Sequence, residues 1–185
     1  MIIIGITGTL GSGKGTVAEY LVGKYEFSHY SAREFIAEEI RRRGLLVNRD
    51  TLTEVSNDIR AKNHPGFILE RLYERALESE KNSVIESVRT PGEIQTLKNK
   101  GNFYLLAVDA DPKTRYDRVL LRKSATDSVS FKKFLEDENR EMESTDPNKQ
   151  NIGACVKQAD FTVRNDGSLE QLHTQVDRIL KELPI

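Results

Sequence analysis

Ile2-Ile3-Ile4-Gly5-Ile6-Thr7-Gly8-Thr9-Leu10-Gly11-Ser12-Gly13-Lys14-Gly15-Thr16 opens the chain and decides its architecture. The first six residues form a β-branched run, which predicts a strand buried on both faces of a parallel sheet. Gly8 to Lys14 then matches G-x-x-x-x-G-K, and Val17, Ala18, Leu21, Val22 and Tyr25 follow at helical spacing. Strand, glycine turn and helix in that order bring consecutive backbone N–H groups and a helix N-terminus to one point, where an anion is held. The expected cradle is Gly8, Thr9, Leu10, Gly11, Ser12, Gly13, Lys14, Gly15 and Thr16, for ATP with Mg²⁺. Lys14 would reach the β- and γ-phosphates and follow charge onto the transferring group. The bland alternative is a glycine-rich turn that binds nothing.

One residue departs from the common form of this loop. A Ser or Thr directly after the lysine ordinarily ligates Mg²⁺, whereas here that place is Gly15 and the hydroxyl comes at Thr16. The ion is therefore expected to be held mostly through waters and phosphate oxygens. Thr16 is expected on the α-phosphate, with a metal contact as its alternative.

Outward from the loop, strands alternate with helices. Phe27–Tyr30, Ser83–Val88, Phe103–Val108 and Phe161–Val163 read as four more strands, and residues 31 to about 80 as helix broken near Asn48-Arg49-Asp50 and His64-Pro65-Gly66. Asp111-Pro112 starts one helix, and the capping box Ser168-Leu169-Glu170-Gln171 opens the last. The buried stripe of that last helix is expected at Leu169, Leu172, Val176, Ile179, Leu180 and Leu183. This alternation predicts an α/β fold, a doubly wound five-stranded parallel sheet with ligands at the strand C-termini. Residues 1–185 are expected to make one domain.

Composition narrows the function classes. The 28 Lys and Arg against 29 Asp and Glu give a net charge of −1, so a broad nucleic-acid footprint is not expected. Phosphate affinity must come from local clusters. The single cysteine, Cys155, excludes an internal disulfide framework and is read as a small buried hydrophobe. The apolar run at residues 1–4 is far too short to span a membrane and no cleavage-site pattern follows, so a cytoplasmic protein without membrane contact is expected, as monomer or homodimer.

A phosphoryl transfer from such a loop would need cations at donor and acceptor phosphates alike. Arg89, just past the end of the third strand and hence near the phosphate loop, is the first acceptor candidate, able to grip a phosphate with two parallel hydrogen bonds. The alternative is a surface arginine. Glu86 at the end of the same strand would bind Mg²⁺ through water. Glu93 orients Arg89, contacts the acceptor or is a solvated helix residue. Arg33 and Arg60 are further acceptor candidates, and Arg41-Arg42-Arg43 reads as a solvated face. Arg115, Arg118 and Arg122, three and four apart, share one helical face and lead into a polar loop; a plain solvated face is the alternative there too.

The Gly-Lys-Gly-Thr sequence at residues 13–16 resembles the P-loop of adenylate kinase and other nucleoside monophosphate kinases. Ser31-Ala32-Arg33-Glu34-Phe35-Ile36 is similar to their acceptor-side segment, and Glu86-Ser87-Val88-Arg89-Thr90 to their Asp-Gly-Phe-Pro-Arg-Thr, shortened by one residue. Chain-long spacing resembles small archaeal adenylate-kinase-related proteins. The tail Ala159–Ser168 looks like the closing strand and loop of dephospho-coenzyme A kinase.

The resemblance implies P-loop NTPase (nucleotide kinase) architecture, with a helical acceptor-binding insertion over about 31–80 and a short lid over about 118–130. It also implies Arg118 and Arg122 closing over ATP, Arg140 as a further lid cation, Glu34 as the family's acidic acceptor residue, and Asn165 and Gly167 at the adenine edge. Two positions depart from the pattern: Ala37 stands where an arginine is expected, and Glu86 where the family has Asp.

The implied activity is ATP-dependent phosphorylation of a small-molecule nucleoside or deoxynucleoside monophosphate. Dephospho-coenzyme A kinase is the alternative within the class, although Glu86–Arg89 replaces its usual acceptor strand. A nucleotide-binding regulatory ATPase is the alternative outside it. A GTPase switch lacks its Asn-Lys-x-Asp motif here.

Overall fold

The first strand, β1 (Ile3–Thr7), lies at the middle of a sheet ordered β2-β3-β1-β4-β5. The others are β2 (Ser28–Ser31), β3 (Ser83–Glu86), β4 (Phe103–Asp109) and β5 (Phe161–Arg164), and every neighbouring pair is parallel. The computed structural model describes residues 1–122 and 129–184. The expected doubly wound five-stranded sheet is therefore present, with β1 flanked by β3 on one side and β4 on the other.

Side chains alternate across β1, as strand geometry requires. Ile3 joins one apolar core and Ile2, Ile4 and Ile6 the other. The first core is covered by α2 (Ala32–Arg42), α3 (Arg49–Lys62), α4 (Phe67–Glu78) and α5 (Pro91–Lys98). The second is covered by α1 (Lys14–Tyr25) and α9 (Leu169–Glu182). Leu21 of α1 is fully buried there, worth about 2 kcal/mol of transfer free energy by itself. The remaining helices are α6 (Pro112–Leu121), α7 (Phe131–Met142) and α8 (Ile152–Lys157). None of the helices described is long and apolar enough to cross a membrane.

Two expectations about the elements need correction. The third strand ends at Glu86 rather than Val88, because Ser87 takes φ 77° and both Ser87 and Val88 donate their N–H groups to the Ile6 carbonyl. Two residues facing one is a bulge, and it ends the ladder. Leu169 is 56% exposed and does not belong to the buried stripe of α9, since it begins the helix on the solvent side of the Ser168 cap. Leu172, Val176, Leu180 and Leu183 are buried as read, and Ile179 packs partly buried against them. Cys155 is buried as well, and that burial pushes its thiol up to about 12.

Because all five strands run the same way, their C-terminal ends share one edge. Gly8 follows β1, Ser87 follows β3, Ala110 follows β4 and Asn165 follows β5. The helices α2, α3 and α4 all fall between β2 and β3, and they wall that edge on the β3 side.

Candidate active site

The phosphate loop is preset by its backbone. Gly8 has φ 137°, and a Cβ there would stand 2.2 Å from the Val108 carbonyl oxygen. Gly13 has φ 104°, and its Cβ would meet Asn165 Nδ2 at 2.1 Å. Neither position admits a side chain without rebuilding the loop. Gly13 also caps α1 without any side-chain acceptor, so the first N–H groups of that helix keep their bonding capacity for something else. Two buried hydroxyls in the loop, Thr9 Oγ1 and Ser12 Oγ, have no hydrogen-bond partner among the described residues. Buried polar atoms are ordinarily satisfied, and a polyoxygen anion in the loop is the kind of group that would satisfy these.

Lys14 curls back over the loop, donating to the carbonyls of Gly8 and Thr9 at 2.8 Å each. Burial and the nearby Arg89 guanidinium bring its ammonium down to about 7, against the opposing pull of Glu86 and Glu141. Glu86, half-buried, meets His29 Nε2 at 3.3 Å. Burial pushes its carboxyl up, but His29, Lys14 and Arg122 together hold it below the usual range. Among the described residues no three His, Cys, Asp or Glu side chains form a metal cluster. Gly15 faces open space: a Cβ there would meet nothing within 4 Å. Thr16 is partly exposed in the first turn of α1.

Beside the loop a cleft of about 710 Å³, its open mouth included, runs between β3 and the α2–α3 wall. Leu10 of the loop forms one side, and Arg33, Arg49, Arg60, Arg89 and Glu141 supply its charges. The bulge at Ser87 turns the chain so that Arg89 enters this cleft; Thr7 Oγ1 fixes the turn by donating to the Val88 carbonyl at 2.9 Å. Arg89 Nη1 contacts Gln150 Oε1 at 2.6 Å and Glu141 Oε2 at 3.2 Å. The other Glu141 oxygen takes Arg49 Nη2 at 2.7 Å. Burial raises the Glu141 carboxyl, yet Arg89 and Arg49 outweigh it and keep the group ionised below its usual range.

Arg60 and Glu93 lie deeper. Glu93 is 0% exposed and Arg60 1%. Arg60 Nη2 meets Glu93 Oε1 at 2.8 Å, while Glu93 Oε2 accepts the N–H groups of Arg89 at 2.8 Å and Thr90 at 3.0 Å. Glu93 is thus the buried half of a capping box that anchors the Arg89 backbone, not a solvated helix residue. Arg33 lines the cleft and is exposed. Glu34 lies outside it, on an exposed pair with Arg41 at 2.6 Å. Arg42 and Arg43 pair with Glu39 on the same outer face.

The arginines of α6 do not share one environment. Arg115 is buried and bound to Glu138 and to the Ala110 carbonyl, so it is a structural clamp. Arg118 reaches towards Asn165 with Nη2 at 3.5 Å, and its buried Nη1 has no hydrogen-bond partner among the described residues. Arg122 ends the helix, exposed but near enough to act on the charges of Lys14 and Glu86. Residues 123–128 of the expected lid lie outside the described residues. Arg140 pairs with Asp137. Asn165 is buried and donates to the Ser12 carbonyl at 2.8 Å, tying β5 to the loop, whereas Gly167 is exposed beside Gln171.

Sequence reasoning missed Arg49, Glu141 and Gln150. Arg49 stood only as part of a break. The usable signal was Asn48, whose side chain caps α3 and so projects the next residue from a helix start. Glu141 lies in a charge-rich stretch, Glu136 to Glu143, that offers no local signal.

Residues 4–146 match the family model of the AAA domain. A UPF0200 protein of Methanococcus vannielii is 28% identical over 187 residues, spanning 99% of this chain and 97% of its own, which bears out the archaeal resemblance. Among solved structures, TT1252 from Thermus thermophilus is 25% identical with a TM-score of 0.64, covering 100% of this chain and 98% of that one. A shikimate kinase from Bacteroides thetaiotaomicron shares the fold with a TM-score of 0.63 at 16% identity, covering 98% and 99%.

Proposed function

The chain belongs to the AAA domain family, and from that premise, with the P-loop at residues 8–16, we propose that it is an ATP-dependent phosphotransferase acting on a nucleoside or deoxynucleoside monophosphate. The observation that carries this reading is the arginine-lined cleft that opens directly onto the loop through Leu10. A phosphate-binding loop alone suits any nucleotide hydrolase. A second, cationic site alongside it suits transfer to an anionic acceptor.

The orphaned hydroxyls of Thr9 and Ser12 and the uncapped start of α1 fit a polyphosphate, and Glu86 is ionised and within electrostatic reach of Lys14. Mg²⁺-ATP, when bound, supplies the γ-phosphoryl group. Lys14 would leave the Gly8 and Thr9 carbonyls to neutralise that group, and its held-down ammonium gains its proton firmly once an anion is near. Arg89 and Arg49 would orient the acceptor phosphate, with Arg33 at the rim. An acceptor oxygen then bonds to the γ-phosphorus as the bond to ADP breaks. Arg118 and Arg122 would take up charge on the donor side.

The test is ADP release measured across ribo- and deoxynucleoside monophosphates and dephospho-coenzyme A. Stimulation of at least tenfold by one monophosphate is the expected result. Release unaffected by every acceptor would leave a regulatory ATPase and sink the reading.

A further inference from the structure

Four guanidinium groups and one carboxylate supply the charge of the cleft wall. That carboxylate, Glu141, does not sit beside a single arginine. Its two oxygens are divided, one to Arg49 at 2.7 Å and one to Arg89 at 3.2 Å. A tetrahedral phosphate or a substrate carboxylate between two guanidinium groups makes the same division of oxygens. The pair of arginines comes from elements far apart in sequence, the start of α3 and the turn after β3, and Glu141 at the end of α7 reaches in from a third.

We propose that Glu141 occupies, in the free protein, the place of the acceptor's anionic group, and that the acceptor binds by exchanging with it. This rests on reading the cleft as the acceptor site.

Geometry makes the exchange feasible where it is not feasible for the neighbouring pair. Glu141 is 18% exposed, with Arg49 at 29% and Arg89 at 27%. Each can rotate into water without stranding a buried charge. Glu93 and Arg60 cannot: they are 0% and 1% exposed, and Glu93 is bonded to Arg60 and to the Arg89 and Thr90 N–H groups. Arg49 keeps Asp137 at 3.8 Å and Arg89 keeps Gln150 at 2.6 Å, so neither guanidinium is stripped bare when Glu141 leaves. Without Glu141, Arg49 and Arg89 would repel one another across the cleft, and Arg89 would bear on Lys14 with one opposing carboxylate fewer. With a carboxylate that stays after binding, the acceptor's charge would be opposed at close range. A displaceable carboxylate resolves both. It also makes the cleft selective, because a neutral ligand has nothing to offer the arginines in return for Glu141.

The experiment is calorimetric titration of inorganic phosphate and, separately, acetate into wild type, Glu141→Gln, Glu141→Asp and Glu141→Gln/Arg49→Ala, with Mg²⁺-ADP in excess. Any phosphate bound in the loop is common to all four proteins and cancels in the comparison. Glu141→Gln should bind phosphate about tenfold tighter, a gain that one relieved like-charge contact at a partly exposed site supplies. The added Arg49→Ala should remove most of that gain. Glu141→Asp, whose shorter carboxylate cannot span both arginines, should gain less, and it serves if Glu141→Gln does not fold. Unchanged or weaker phosphate binding in the folded variants overturns the exchange. A gain for acetate without one for phosphate keeps the exchange but removes the monophosphate acceptor. A gain for phosphate alongside a failed ADP-release screen sinks the kinase reading and leaves the exchange standing.

Discussion

Two arginine–glutamate pairs meet near the same cleft, Arg60 with Glu93 and Arg89 with Glu141, and they differ in burial while sharing their chemistry. Arg60 and Glu93 are 1% and 0% exposed in their side chains, and the carboxylate also holds the backbone of Arg89 and Thr90. Arg89 and Glu141 are 27% and 18% exposed, and each shares its partner with a third group. The first pair is a framework: breaking it strands a charge where water cannot reach. The second is an exchangeable contact whose members can be re-solvated. Lys14 is a cation that, among the described residues, donates to the Gly8 and Thr9 carbonyls.

The comparison is tested most severely at its buried end. Glu93→Ala should lose about 3–5 kcal/mol of stability in urea unfolding, since Arg60 is left uncompensated and the α5 cap is lost. A loss below about 1 kcal/mol would erase the distinction. Lys14→Ala should keep the far-ultraviolet dichroism of wild type yet lose at least tenfold, about 1.4 kcal/mol, in ADP release stimulated by the acceptor. Arg89→Ala should raise the acceptor KM about tenfold while leaving the affinity of a non-hydrolysable ATP analogue unchanged by calorimetry. Lost analogue binding there would place Arg89 on the donor side.

At the exchangeable end, Glu141→Gln should change stability by less than about 1 kcal/mol in the same urea series, because screened, partly exposed pairs contribute little. A pH dependence is expected as well, set by Lys14. Lys14 sits at about 7 in the folded chain against 10.5 when unperturbed. Between those values the unfolded chain holds a proton that the folded one has released, so wild-type stability rises with pH across that window. Lys14→Met lacks this term. Its stability relative to wild type should therefore be highest near neutrality and below, and should shrink as pH is raised towards 10.5. A difference that stays flat in parallel urea melts would show that Lys14 is not held down.

The loop was legible in the sequence because its information is local. Gly8 and Gly13 must take backbone angles open to few other residues, and a strand and a helix of distinct period flank them. The same holds for the caps at Asp111 and Ser168, each written within four residues. Arg118 and Arg115 show where this kind of reading ends. Helical spacing put them on one face, but one is clamped by Glu138 from α7 and the other points to Asn165 from β5.

The sequence by itself therefore determined the central strand, the phosphate loop, the helix starts at Asp111 and Ser168 and the alternation that gives a parallel sheet. Those features follow from short-range sterics and hydrophobic period. Only the tertiary structure decided which arginine is framework and which is free to exchange. That depends on burial and on carboxylates from distant elements, Glu93 for Arg60 and Glu141 for Arg49 and Arg89. An arginine and a glutamate 33 residues apart and another pair 52 apart look alike in a sequence. They differ in energy because water reaches one and is excluded from the other.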